Sequence, residues 1–387
     1  MTNWKEYKLS DLMELKYGKD HKHLADGSYP LFGSGGIMRY VEKSIYEEES
    51  ILIPRKGTLS NLFYVNEPFW SVDTMFWSKI KQDKVLPKYL YYTLKTYNLA
   101  ELNVGSAVPS LTTEVLNKVD VTIPNIDTQT AIAEILSSLD DKIELNNKIN
   151  QELENLAQTL FKQWFIDFEF PNENGEPYKS SGGKMVDSEL GEIPEGWELD
   201  SLDNIAEFLN GLALQKFPPE SDYEFLPVIK IRELRQKDTS NSDKASINIP
   251  EKYIVEDGDV LFSWSGSLMI DFWTSGKGAL NQHLFKVTSK EYPKWYYYLW
   301  TKHHLTEFIE IAESKATTMG HIQRQHLTNA KVIIPNENTI INFSLVFEPI
   351  ISKIIDNRVE CGELINLRDT LLPKLISGEL EINEISK

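Results

Sequence analysis

The sequence predicts an α+β chain: two mixed α/β domains related by an internal repeat and separated by two long helices of coiled-coil pattern. Three observations carry this: a stretch of chain that occurs twice, short β-type runs in front of each copy, and a heptad rhythm behind it. The repeat is plainest where GSAVPSLTTEVLNKVDVTIPN, from Gly105, matches ATTMGHIQRQHLTNAKVIIPN, from Ala316. Pro124 pairs with Pro335 at a shift of 211 residues, and the same shift pairs Leu116 with Leu327, Asn146 with Asn357 and Leu160 with Leu371. Further forward, Trp4 pairs with Trp197 and Gly18 with Gly211 at a shift of 193. The front portions thus differ by insertions while the rear portions align without gaps. A constant rear is framework, and a variable front is where specificity resides.

Each front portion, 1–125 and 197–336, holds short apolar runs that suit strands: 51–54, 259–264 and 331–335. Segments 86–102 and 292–312 suit single helices begun near a proline. Behind them, 126–171 and 337–387 carry heptad seams. The first runs Leu136, Leu139, Ile143, Asn146, Asn150, Leu153, Ala157, Leu160 and Trp164; the second runs Phe347, Ile350, Ile354, Asn357, Cys361, Leu364, Arg368, Leu371 and Leu375. Two such helices are expected to pack on each other. Asn146 and Asn357 share a seam position and either fix register or lie partly exposed. Gly-, Ser- and Pro-rich 172–196 reads as a linker.

Apolar residues at 41% and aromatics at 11% are enough for real cores, and most aromatics, Trp70, Trp77, Trp264, Trp273 and Tyr296–Tyr298 among them, are assigned to packing. One cysteine, Cys361, excludes a disulfide framework and suits a reducing cytoplasm. The N-terminal residues show no signal-peptide core, and no apolar run is long enough to read as a membrane span. The net charge of −18 argues at first against nucleic-acid binding. Its distribution changes that: residues 126–200 carry −12, whereas 1–125 are neutral and 201–340 carry only −3, and a near-neutral domain can present a basic face where the fold arranges one. The acidic segment suits solvent or a protein partner.

Four phrases resemble a known family in the right order. Ser188-Glu189-Leu190-Gly191-Glu192-Ile193-Pro194-Glu195-Gly196-Trp197 resembles the opening of the second target-recognition domain in specificity (S) subunits of type I restriction-modification systems. Residues 159–171 resemble the end of their central helix, 105–124 the segment joining a recognition domain to its helix, and Leu371–Gly378 their C-terminal ending. The second copy of the joining segment departs from the pattern, with Ala316 and Gly320 in place of the glycine and proline. The resemblance implies a non-catalytic subunit in the cytoplasm. It implies two target-recognition domains, each reading half of a bipartite double-stranded DNA site, and two helices paired antiparallel. Two methyltransferase subunits would dock on them, with two restriction/translocase subunits beyond. It implies no cofactor on this chain; S-adenosylmethionine, ATP and Mg are expected on the partners.

The residues themselves agree. The chain has no Asn/Asp-Pro-Pro-aromatic tetrapeptide, no phosphate loop and no GxSxG or HExxH motif. His21 with His23, and His303 with His304, read as surface histidines before metal ligands. Candidate DNA contacts are hydrogen-bonding side chains on loops. In the first repeat they are Ser34, Arg39 and Tyr40 around a Gly-rich turn, Arg55, Lys56 and Thr58 leaving a strand, and Ser106, Ser110 and Thr112. In the second they are Ser265 and Ser267 at the equivalent strand exit, then Lys277, Asn281, Gln282 and His283, then Thr317, Thr318, His321, Gln323 and Arg324. A tight turn, a strand-edge network and a helix cap are the competing structural readings of these groups. A tandem protein-interaction scaffold without DNA recognition and a degenerate standalone DNA-modifying enzyme are the competing functions.

Overall fold

A computed structural model describes residues 4–105, 109–314 and 320–382. The chain forms two compact units, Met1–Lys142 with Leu364–Lys387, and Ile143–Glu363.

In the first unit, strand Lys5–Lys8 pairs antiparallel with Asp120–Ile123, Lys5 opposite Ile123. A four-stranded sheet runs in the order Met13–Tyr17, Met75–Ile80, Ser50–Pro54, Phe63–Val65. A smaller sheet holds Gly36–Val41, Asp26–Gly33 and Trp70–Ser71. The second unit repeats the plan. Glu198–Ser201 pairs with Lys331–Ile334 in the same register, Glu198 opposite Ile334. Its main sheet runs Glu207–Asn210, Leu284–Thr288, Val260–Ser263, Met269–Phe272, beside a second of Lys244–Ala245, Leu226–Ile229, Gly278–Leu280 and Ile254–Val255. The strands Ser50–Pro54 and Val260–Ser263 are buried along their whole length, which is what unbroken apolar runs require.

Each domain ends by delivering its last strand into a long helix through Pro-Asn. Asn125 Oδ1 accepts from Thr128 N at 2.9 Å, and Asn336 Oδ1 accepts from Thr339 N at 3.0 Å. These are N-caps at repeat-equivalent positions, and the helices Ile126–Phe161 and Glu337–Ser377 follow. In the first unit the start of one helix and the end of the other bring Ile132, Leu136, Leu372, Leu375 and Ile376 into a core with Leu9, Ile53, Phe76 and Tyr89. In the second unit Ala157, Phe161, Trp164 and Phe165 join Phe343, Phe347, Ile351 and Ile354 in the largest core. The helices run antiparallel in both: Arg368 Nη1 meets Asp140 Oδ1 at 2.7 Å in the first, and Asn357 Nδ2 donates to Asn150 Oδ1 at 2.9 Å in the second. Every seam residue named from the heptad pattern is buried or half-buried. Asn146 and Asn357 are fully buried, which rejects the partly exposed alternative.

Three expectations change. Segments 86–102 and 292–312 are each broken in two. Helix Pro87–Lys95, with Pro87 in its first turn, gives way to a 3-10 turn Leu99–Leu102. Helix Lys294–His303 ends at His304, whose Nε2 is held 2.8 Å from Lys331 O, and Leu305–Ser314 starts afresh. The 172–196 segment contains a hairpin, Met185–Ser188 with Gly191–Pro194. Phe170 stacks on both Tyr178 and Trp197 beside it, with ring centroids 4.6 and 4.9 Å apart. Helix Glu337–Ser377, although its apolar runs are broken, is long and apolar enough to cross a membrane by length and composition alone. Its Phe343, Phe347, Ile351 and Ile354 line the core of the second unit.

Candidate nucleic-acid interface

Each unit builds a loop face of its own, and the same backbone hydrogen bonds recur in both. In the first, strand Ser50–Pro54 exits into Arg55–Thr58, which is laced to the strap before Leu111: Gly57 N donates to Pro109 O at 3.3 Å and Leu111 N to Arg55 O at 2.9 Å. In the second, Gly266 N donates to Gly320 O at 3.0 Å and Ile322 N to Trp264 O at 3.0 Å. Isolated bridges Lys56 with Ser110 and Ser265 with His321 complete the match. Gly57 and Gly266 both sit at positive φ, 92° and 66°, so the tight exit needs glycine in each copy.

On this frame the first unit presents Lys56 and Thr58 to solvent and holds Arg55 with its guanidinium carbon 5.2 Å from the centre of the Tyr17 ring. Ser34 lies on the neighbouring Gly33–Gly36 turn, tied to this loop by Asn61 Nδ2 donating to Ser34 O at 2.9 Å. In the second unit Ser267, His283 and His321 are exposed, Gln282 is half-buried, and Ser265 is buried beside Trp264. Ser265 Oγ lies 3.0 Å from His283 Nδ1, Trp264 Nε1 donates to Asn210 Oδ1 at 3.0 Å, and the Trp264 ring faces both His283 and His321. A cleft of about 610 Å³ opens beside them, lined by Ser265, Gln282 and His283 together with Lys230, Arg232 and Lys244.

Other candidates are placed differently. Arg39 is engaged internally: it pairs with Asp26 at 2.8 Å and donates to His21 O and Leu24 O. Tyr40 is exposed on the same strand. Lys277 precedes strand Gly278–Leu280, at the end away from Gln282, and pairs with Glu256 at 2.8 Å. Asn281 is buried, its Oδ1 accepting from His283 N at 3.2 Å, so it shapes the turn. Thr112 and Gln323 occupy helix N-caps, Thr112 Oγ1 accepting from Val115 N at 3.3 Å. Arg324 donates to Phe208 O at 3.2 Å and lies over the Phe285 ring. Ser106, Thr317 and Thr318 lie outside the described residues.

A family profile described as the type I restriction modification DNA specificity domain matches residues 1–155 and 194–368. The chain belongs to this family. It is 27% identical to the type I restriction enzyme MjaIX specificity subunit of Methanocaldococcus jannaschii, over 94% of this chain and 86% of that one. It is 25% identical to the HindI specificity subunit of Haemophilus influenzae, over 76% and 78%. The crystal structure of the type I system S subunit from M. genitalium shares its fold, with a TM-score of 0.63 at 16% identity, over 97% of this chain and 96% of that one.

Within this specificity-subunit frame, two groups escaped the sequence reading. Phe32 O accepts from Val72 N and Ile229 O from Asn281 N, which makes the turn after Gly33 equivalent to the start of helix Ile231–Gln236. Lys230 and Arg232 therefore stand where the first unit has its Gly-rich turn. Helix and turn share no sequence signal, so only the hydrogen-bond pattern aligns them. The second group is the Val72–Thr74 turn of the first unit.

Proposed function

We propose that each unit reads one half of a bipartite double-stranded DNA target for a type I restriction-modification complex in the cytoplasm, and that the chain is not itself catalytic. The observation that carries this is the duplicated loop face: one backbone frame, two different sets of amides, hydroxyls, imidazoles and cations. A shared frame with divergent side chains is what two independent sequence readers need, because base edges are read by side chains and phosphates hold the frame. Two methyltransferase subunits would dock on the helices, bringing S-adenosylmethionine. Two restriction/translocase subunits would bring ATP and Mg. Leu145 and Leu156 on the first helix, and Ile341, Leu345 and Leu367 on the second, support the docking role, since all are large, apolar and exposed.

A gel-shift titration of the chain assembled with its modification subunit tests the proposal. Affinity for a duplex carrying the target should fall steeply and linearly in log–log terms as salt rises, with a residual preference over unrelated duplex. Equal, weak binding to both at low salt would return the chain to the scaffold reading.

A further inference from the structure

The Asn281–Leu284 turn and the Val72–Met75 turn are the same structure at a shift of 209 residues. Gly211 N donates to Leu284 O at 3.1 Å, and Gly18 N to Met75 O at 3.0 Å. Leu212 N donates to Leu280 O at 2.9 Å, and Lys19 N to Ser71 O at 2.8 Å. Each turn is closed by a 3.0 Å bond, Leu284 N to Asn281 O and Met75 N to Val72 O. Gly211 and Gly18 are pressed against these turns so closely that a Cβ would fall 2.3 Å from Asn281 O or 2.0 Å from Val72 O. Asp73 therefore stands where Gln282 does, and Thr74 where His283 does.

We infer that Asp73 is a base-reading residue of the first half-site and that it contacts the exocyclic amine of a cytosine. The inference rests on the DNA-reading function proposed above. The turn is fixed to the cationic loop: Thr74 O accepts from Arg55 N at 2.8 Å and from Lys56 N at 3.2 Å, and Asp73 O accepts from Arg55 Nη1 at 3.3 Å. Asp73 itself is exposed. Among the described residues, the bonds formed at its position go to its backbone carbonyl, which leaves its carboxylate for a ligand. An ionised carboxylate only accepts hydrogen bonds. In the major groove guanine offers N7 and O6 acceptors and thymine an O4 acceptor, both repelling it. Adenine sets an N7 acceptor beside its amine. Cytosine alone offers an amine without an acceptor. Arg55 and Lys56 next to it offset the repulsion between Asp73 and the phosphates.

The test uses the complex with its modification subunits, a library of duplexes randomised across both half-sites, and sequencing of the bound fraction. The parent, Asp73→Asn and Gln282→Ala are run in parallel. The parent should select cytosine at one position of the half-site that Gln282→Ala leaves unchanged. Asp73→Asn keeps the shape and removes the charge. It should lower that cytosine preference by roughly 5- to 150-fold, the ratio equivalent to ~1–3 kcal/mol. It should also bind unrelated duplex at least as tightly as the parent. An unaltered profile overturns the inference, as does a change at a base other than cytosine or an equal loss across both half-sites. A parent that selects no bipartite target overturns the DNA-reading function instead.

Discussion

Gln282 is half-buried in the Asn281–Leu284 turn, its Nε2 3.4 Å from His283 Nε2, and it lines the cleft beside Lys230 and Arg232. Replacing it with Ala should relax one position of one half-site by ~1–3 kcal/mol, read by mapping methylated adenines before and after. Loss of both half-sites together would remove it from the reading face. Arg324 reads identically in sequence, a cation in a polar run, yet its guanidinium is held by Phe208 O and the Phe285 ring. Arg324→Ala should therefore lower the melting temperature while leaving the target letters unchanged. The difference between these residues was not legible in the sequence. Both are polar and both precede framework elements; only the partners supplied by distant strands separate a reader from a brace. Arg39 and Lys277 show the same limit, since folding brings Asp26 and Glu256 to them. What the sequence did carry was the position of the strand exits, because Gly57 and Gly266 mark them in both copies.

The helices were the most legible elements, since a heptad seam repeats for as long as the contact lasts. The seam also preserves the repeat in its polar bonds. Asn150 Nδ2 donates to Ile354 O at 3.3 Å, and its counterpart Cys361 places Sγ 3.8 Å from Ile143 O, the counterpart of Ile354. Substituting Leu153, half-buried on this seam, by Asp should destabilise the pair by several kcal/mol and block assembly with the modification subunits. Normal assembly by gel filtration would contradict the helix-pair scaffold. The second unit adds a charged brace that no periodicity signals. Asp271, on strand Met269–Phe272, takes Arg358 Nη1 at 2.6 Å and Lys237 Nζ at 3.0 Å, and Arg358 also meets Glu154 at 2.6 Å. Burial alone would raise the Asp271 carboxyl, but Lys237 and Arg358 outweigh it and hold it below its ordinary value. A depressed folded-state value contributes stability above the unfolded carboxylate pKa of about 3.9, and that stability is lost as pH falls through the folded value. Asp271→Asn should cost about 3–5 kcal/mol near neutrality, with the gap to the parent narrowing in acid. Urea titrations at pH 7 and below pH 4 measure both; a gap that does not narrow would show that the carboxylate charge is not the stabilising feature.

At the scale of the whole molecule the acidic surplus and the repeat answer different questions. The −12 carried by 126–200 belongs to the first helix and the hairpin segment, leaving segments 1–125 and 201–340 near neutral, which is why total charge says less than its distribution. The repeat, in turn, predicts a spacing experiment. Both helices pass from one unit to the other, at Lys142–Ile143 and Glu363–Leu364. Asp140 meets Arg368 within the first unit, and Ile143 meets Cys361 within the second. Inserting seven residues at both points adds one heptad to each helix. The seam stays in phase to within about 20° and each helix lengthens by about 10 Å. Base pairs step about 3.4 Å along a strand. If the helices set the distance between the half-sites, the variant should keep both sets of letters and lengthen only the unread spacer, by about three base pairs. An insertion in one helix alone should instead break the pairing and abolish assembly. Methylated-adenine mapping of the double insertion decides between ruler and tether: an unchanged spacer with full activity would show that the helices carry partners without measuring DNA.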